Sequence, residues 1–263
     1  MSDRFVDKVV IITGAGEGLG RVMARMIAAE GGTVVVTGRR PDPLAETVAM
    51  VEADGGTCLA VPADVTDEES VAHLVATTVE RFGRVDVLLN NASQPGRDLY
   101  IWEQTVENWN ACIAAVVTGP MICTREVLNQ SMLERRSGAI VNFSSTASVN
   151  GIPRKSHYSV AKSGVRTFTK VAAQELGPHG IRVNCIVPGG IQTDLLFNYW
   201  KRIADERGTT WETIRDESAK ASPLGKVALP EETAAAALFL ASDDASAITG
   251  QSLIVDTGVF MFG

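Results

Sequence analysis

The chain has 263 residues, 45% hydrophobic and 21% charged, which suits one domain large enough to bury a sizeable core. Its formal net charge of −7 repels phosphate backbones, so nucleic acid is not an expected partner. Four cysteines (Cys58, Cys112, Cys123, Cys185) lack metal-type spacing with the three histidines (His73, His157, His179), so reduced thiols are expected and a metal site is not.

The polar start, Met1 to Lys8, lacks the apolar core of a signal peptide. No apolar run approaches the ~20 residues of a membrane span. A cytoplasmic protein with no membrane partner is therefore expected. In chain order the periodicity predicts strand 9–13, helix 18–30, strand 33–37, helix 44–53, strand 58–61 and helix 67–82. Strand 85–89, helix 106–134, strand 139–143, helix 157–176, strand 182–187, helix 231–241 and strand 252–255 follow. Strands that are apolar throughout are buried on both faces, and strand–helix alternation from end to end predicts a doubly wound parallel α/β sheet. Thr66 or Asp67 can cap the third helix, Pro230 suits a first helical position, and Gly177-Pro178-His179-Gly180 can stop the long helix before the next strand. One stretch, 192–227, breaks the rhythm with polar and aromatic residues. It would rise over the carboxyl ends of the strands, where ligands bind in such sheets, and is the expected substrate lid of a single domain 1–263.

The first strand runs straight into Gly14-Ala15-Gly16-Glu17-Gly18-Leu19-Gly20. Glycines there permit a tight turn and a close approach of backbone to a pyrophosphate, which the next helix's free N–H groups would face. A lone glycine cluster is ordinary turn material. Following a strand and opening a helix, it reads as a dinucleotide corner.

The spacing Thr13-Gly14-x-x-x-Gly18-x-Gly20 resembles the short-chain dehydrogenase/reductase family, in its compact single-domain branch with a Rossmann-type sheet. Further matches follow in the family's order: Asp64-Val65, Asn90-Asn91-Ala92, Ser145, Tyr158-x-x-x-Lys162, and Pro188-Gly189 with Thr193. The resemblance implies a hydride transfer between NAD(P)(H) and a secondary alcohol or ketone. It assigns cofactor binding to Gly14, Glu17, Gly18, Leu19, Gly20, Arg39, Asp64, Val65, Asn91, Ala92, Tyr158, Lys162, Pro188, Gly189, Ile191 and Thr193.

Four residues apart, Tyr158 and Lys162 share a helix face. A free phenol has a pKa near ~10 and is a poor base at neutral pH; shifting it usefully takes roughly 3–4 kcal/mol. The lysine cation and an oxidised nicotinamide are expected to supply that, making Tyr158 the general acid/base. By the family's spacing, Ser145 would hold the substrate oxygen against Tyr158, and Lys162 would bind the ribose hydroxyls. His157 lies roughly 100° round the helix from Tyr158 and reads as structural. One position departs from the family: aligned through Trp109 and Thr118-Gly119, its relay asparagine falls on Val116, which cannot hold a water.

After the second strand, Gly38 stands where an NAD enzyme usually carries a carboxylate, and Arg39 follows. A guanidinium suits a 2′-phosphate, so NADP(H) is favoured, while Glu17 pulls the other way and leaves NAD(H) open. Gln94, Asn150, Arg154, Leu195 and Leu196 are the expected substrate-pocket residues, for a small, partly apolar alcohol or ketone. By the resemblance, helices 106–134 and 157–176 pair across a subunit interface in a homotetramer or homodimer. Two competing readings stand beside the ketoreductase. A dinucleotide-binding sensor or scaffold that has lost its chemistry draws support from Val116. A sugar-nucleotide epimerase shares the Tyr–Lys pair but needs a larger substrate domain.

Overall fold

Successive side chains of a strand face opposite ways, and here both ways lead into a core. Val10 and Ile12, Val34 and Val36, Val87 and Leu89, and Val141 and Phe143 face one buried cluster. Ile11, Val35, Leu88 and Ile140, between them, face another. Apolar residues at every position thus make strands covered on both sides, each buried side chain contributing roughly 1.5–3 kcal/mol.

The computed structural model describes residues 3–261. Seven parallel strands form one sheet in the order β3-β2-β1-β4-β5-β6-β7, with β1 Val9–Thr13, β2 Thr33–Thr37, β3 Thr57–Ala60, β4 Val87–Asn90, β5 Gly138–Phe143, β6 Ile181–Pro188 and β7 Ser252–Val255. The helices are α1 Gly18–Ala29, α2 Pro41–Ala53, α3 Glu68–Phe82, α4 Val106–Arg135, α5 Ser156–Leu176, α6 Asp194–Arg207, α7 Trp211–Lys220 and α8 Pro230–Ala241. The strand order reverses between β1 and β4, and a crevice opens above that switch point. The predicted doubly wound sheet is the observed one.

Boundaries move by a residue or two for local reasons. β4 starts at Val87 because the Val85 N–H donates to Ser131 Oγ at 2.9 Å, outside the ladder. Asp67, not Thr66, caps α3, accepting from the Ser70 N–H at 3.1 Å. Pro230 opens α8, and Gly180, at φ 72°, ends the 3₁₀ turn after α5.

Helix α4 differs more. It is 30 residues long, and two π-helical turns, Ala114–Thr118 and Leu128–Met132, interrupt its α geometry. Against the expectation that no stretch approaches a membrane span, an 18-residue window of α4 has a mean hydropathy of 1.5, long and apolar enough to cross a bilayer. The physical reason is core packing. Half of that window is buried, with Ile122, Cys123, Val127 and Met132 in the second cluster and Cys112 and Val116 in a third.

Segment 192–227 folds as α6 and α7 around a cluster of its own, Trp200, Ala204, Ile214 and Val227. Its two ends meet where Gln192 bonds Ala228 and Val227 carbonyls (2.9 and 2.8 Å). Charges tie it to the neighbouring loops: Arg202 to Asp98 at 2.5 Å, Lys155 to Asp98 at 3.7 Å and Arg154 to Glu206 at 3.6 Å.

Candidate active site

The glycine corner is built by what cannot fit there. Gly14 adopts φ +65°, and a Cβ on it would come within 2.9 Å of the Ala92 backbone. One on Gly20 would press into the Gly14 carbonyl and reach Ala15 at 2.8 Å. Helix α1 begins behind this corner with an extended Glu17 and no side-chain cap, so its first N–H groups and its positive dipole end face outward. Leu19 turns its side chain into the first core. From β4, Asn91 Nδ2 donates to the carbonyls of Thr13 (3.0 Å) and Gly14 (3.1 Å), while the Ala92 N–H donates to Thr13 Oγ1 (2.9 Å).

A cavity of about 410 Å³ lies over the corner, lined by Gly14, Glu17, Arg39, Arg40, Asp64, Val65, Asn91, Ala92, Ser93 and Gln94, among others. Asp64 is held in place by accepting from the Thr66 N–H (2.9 Å) and hydroxyl (2.8 Å). Opposite, Pro188 ends β6, the Gly189 N–H donates to Val255 O at 3.0 Å, and Ile191 bridges to Ala228. The Thr193 methyl comes 3.8 Å from where a Gly18 Cβ would sit, so this segment faces the start of α1. Backbone without side chains, an uncapped helix start and flanking polar groups fit the pyrophosphate and ribose of a dinucleotide. At the rim, Arg40 pairs with Glu17 at 2.8 Å, and Arg39 is exposed beside them.

Ser145 follows β5 and caps a 3₁₀ turn, its Oγ accepting from the Ala147 N–H at 3.2 Å. Ser144, one residue away, points elsewhere: it is buried and donates to Lys162 O at 2.7 Å. In the first turns of α5, the Lys162 Nζ stands 5.6 Å from the Tyr158 ring centroid and donates to Phe143 O at 2.7 Å. The predicted trio does converge.

Burial dominates the electrostatics of the pair. Burial pushes the Tyr158 phenol up to about 12, against the pull of the Ser145 and Ser93 hydroxyls beside it. Burial also pushes Lys162 down to about 8, against the thiols of Cys185 and Cys112. Burial thus acts on both groups in the direction that disfavours charge, while one of the three Lys162 N–H donors is held by the Phe143 carbonyl.

Of the expected pocket residues, Gln94 lines the cavity. Leu196 is part-buried in the 192–227 cluster, Leu195 is 69% exposed, and Asn150 is exposed beyond Ser145. Arg154 lies over the Tyr100 ring and reaches Glu206, not the trio. His157 is fully buried, with Nε2 on Pro95 O at 2.7 Å and Nδ1 on Gln104 Nε2 at 2.8 Å. Sequence reasoning missed Gln104 as its partner, and it missed Ser93. The only sequence signal for Ser93 was its place directly after Asn90-Asn91-Ala92.

A parallel sheet with a dinucleotide corner and a Tyr–Lys helix defines an NAD(P)-dependent oxidoreductase. The chain belongs to the short-chain dehydrogenase/reductase family: the model described as enoyl-(acyl carrier protein) reductase matches residues 14–260. It is 38% identical to a 3-oxoacyl-[acyl-carrier-protein] reductase of Synechocystis sp. over 97% of this chain and 98% of that one. Among solved structures, actinorhodin polyketide ketoreductase with NADPH superposes with TM-score 0.92 at 33% identity, covering 98% of this chain and 99% of that one. NAD+-bound xylitol dehydrogenase superposes at 0.91 with 28% identity, covering 97% and 100%.

Val116 sits in the first π-helical turn, 1% exposed, in a cluster with Cys112, Ala161, Val165, Cys185 and Val187 against which Tyr158 packs. The neighbours it packs with are apolar side chains and thiols. Val116→Asn is expected to lower stability by about 1–3 kcal/mol in chemical denaturation while leaving turnover within about tenfold. A larger gain in turnover would show the native relay to be broken at this position.

Proposed function

We propose that this protein is an NADPH-dependent ketoreductase that reduces a small, partly apolar ketone to a secondary alcohol. The observation that carries the reading is the convergence of Ser145, at the end of β5, with Tyr158 and Lys162 on one face of α5, the Lys162 Nζ 5.6 Å from the Tyr158 ring. Reduction needs a proton donor at the carbonyl oxygen, and a phenol that stays neutral is one. Ser145 donates its hydroxyl hydrogen to the same oxygen and holds it against Tyr158 as negative charge develops. Lys162, on the same helix face, binds ribose hydroxyls and stabilises the negative charge left on Tyr158 as its proton departs. When bound, the dinucleotide supplies the hydride.

The preference for NADPH rests on the rim. Arg40 neutralises Glu17, the residue whose charge would oppose a 2′-phosphate, and Arg39 is exposed at the cleft with no ion pair among the described residues. Relatives described as 3-oxoacyl-[acyl-carrier-protein] reductase and polyketide ketoreductase support the direction of the chemistry. Gln94 and Leu196 belong to the substrate's side of the cleft, under the 192–227 lid. Exposed apolar residues on α4 (Val106, Met121) and α5 (Val160, Val171) suit a homodimer or homotetramer built on those helices. Free thiols at all four cysteines suit a reducing compartment such as the cytoplasm.

A panel of ketones with NADPH or NADH, followed by nicotinamide absorbance, tests the activity; no turnover with any of them sinks it. Tyr158→Phe is expected to cost at least about 100-fold in kcat with the fold intact by circular dichroism. In the wild type, both required protons, on Lys162 and on Tyr158, are present at low pH. Reductive kcat/KM is therefore expected to stay level on the acid side and to fall as pH rises through about 8, where Lys162 loses its charge. Arg39→Ala is expected to raise the KM for NADPH about tenfold and leave that for NADH within about twofold, measured on the best ketone.

A further inference from the structure

The dinucleotide cleft has two walls from different elements. One is the glycine corner between β1 and α1, and the other is the turn from β2 into α2, which carries Arg39 and Arg40. A corner of glycines has no side chains with which to hold its own shape. Its carbonyls are held by side chains that reach in from outside. Asn91 takes those of Thr13 and Gly14. Thr47 of α2, fully buried, has Ala15 O at 2.9 Å and Pro43 O at 3.1 Å as acceptors for its one hydroxyl hydrogen. Arg21 of α1 donates from Nε to Thr47 Oγ1 at 3.0 Å. Its Nη2 takes Gly16 O and also meets Glu46 Oε2 at 2.8 Å and Pro43 O at 3.2 Å.

The carbonyls of Thr13, Gly14, Ala15 and Gly16 are thus fixed in succession. A peptide unit is planar, so fixing its carbonyl also fixes the direction of the N–H on the residue that follows. The backbone donors of the corner, as far as Glu17, are therefore set before any ligand arrives. A Cβ on Gly16 would come within 3.0 Å of Pro43 Cβ, so the corner lies directly against the first turn of α2. Pro43, Glu46 and Thr47 all belong to the start of α2, and the same brace sets the spacing between the corner and the Arg39–Arg40 turn. Arg21 and Thr47 themselves lie outside the lining of the cleft, and the Arg21 charge is paired with Glu46. They reach a cofactor only through the backbone they hold.

We propose that Arg21 and Thr47 are positioning residues for the dinucleotide. They keep the glycine corner and the start of α2 in the arrangement that binds it, so that ordering these segments is not a cost of association. The inference rests on the reading of this cleft as the cofactor site. Because Ser145, Tyr158 and Lys162 stand on other elements, removing the brace weakens cofactor binding and leaves the chemical step alone. The role belongs to the fork of bonds and not to positive charge, so lysine cannot replace Arg21: a single ammonium cannot reach Thr47, Gly16 and Pro43 in the same geometry.

The test titrates NADPH and NADH, by nicotinamide fluorescence, into wild type, Thr47→Val, Thr47→Ser and Arg21→Lys, each first checked for its fold by circular dichroism. Thr47→Val keeps the shape and removes the hydroxyl. For it and for Arg21→Lys, the Kd of whichever dinucleotide wild type binds more tightly is expected to rise at least about tenfold. Their kcat at saturating cofactor should stay within about twofold of wild type. Thr47→Ser, which keeps the hydroxyl, should return Kd to within about threefold. Arg21→Lys, at a partly exposed side chain, keeps the test decisive should Thr47→Val fail to fold. A wild-type Kd in a folded Thr47→Val or Arg21→Lys would overturn the role of that residue. Equal weakening in Thr47→Val and Thr47→Ser would overturn the brace, and so would a fall in kcat as large as the rise in Kd. Wild type that binds neither dinucleotide removes the cofactor reading itself, whereas tight wild-type binding matched by the variants removes only this inference.

Discussion

Asn91 reaches from the end of β4 to the two carbonyls that close the glycine corner, and Thr13 returns the contact by accepting from Ala92. These bonds join the start of the dinucleotide cleft to the loop that leads toward the reacting groups. They require Gly14 and Gly20 to be bare, since a side chain on either would push the two segments apart. From the same loop, Pro95 O accepts from His157 Nε2. The corner, the loop and the first turn of α5 therefore act as one rigid unit, and the placement of hydride donor against proton donor follows from it.

Much of this could be read from the chain. Runs such as Val9–Thr13 and Thr33–Thr37 are apolar at every position, and only a strand covered on both faces tolerates that, so the sheet was legible. The glycine corner and the Tyr158/Lys162 pair were legible because their function depends on spacing along the chain. What stayed hidden depends on contacts between distant segments. Gln104 and His157 are 53 residues apart, and Asn108 and Arg97, which continue their chain of bonds, are linked to them by no periodicity. The Arg40–Glu17 pair likewise recasts an apparent conflict over cofactor as a neutralised charge.

The π-helical turns of α4 were invisible for another reason: they insert no unusual residue. The Ala-Ala-Val-Val-Thr segment has ordinary helical composition, and only its packing against α5 and the sheet shows the wider turn. Likewise, the burial that raises the Tyr158 phenol is a property of the fold that residue types do not announce. Residue types suggested a cation helping a phenol to ionise, whereas the folded site dehydrates both groups and leaves each closer to neutrality.

The helices of segment 192–227 have their own apolar centre, Trp200 with Ala204, Ile214 and Val227, separate from the clusters on either side of the sheet. They are tied to the rest by ion pairs around Asp98 and Glu206, which carry little energy each, and by the bonds of Ser222, Leu224 and Lys226 to Thr257. Such a cap is a module. As the proposed lid, it could change its inner side chains over evolutionary time without disturbing the sheet, which would let one scaffold acquire new substrate ranges.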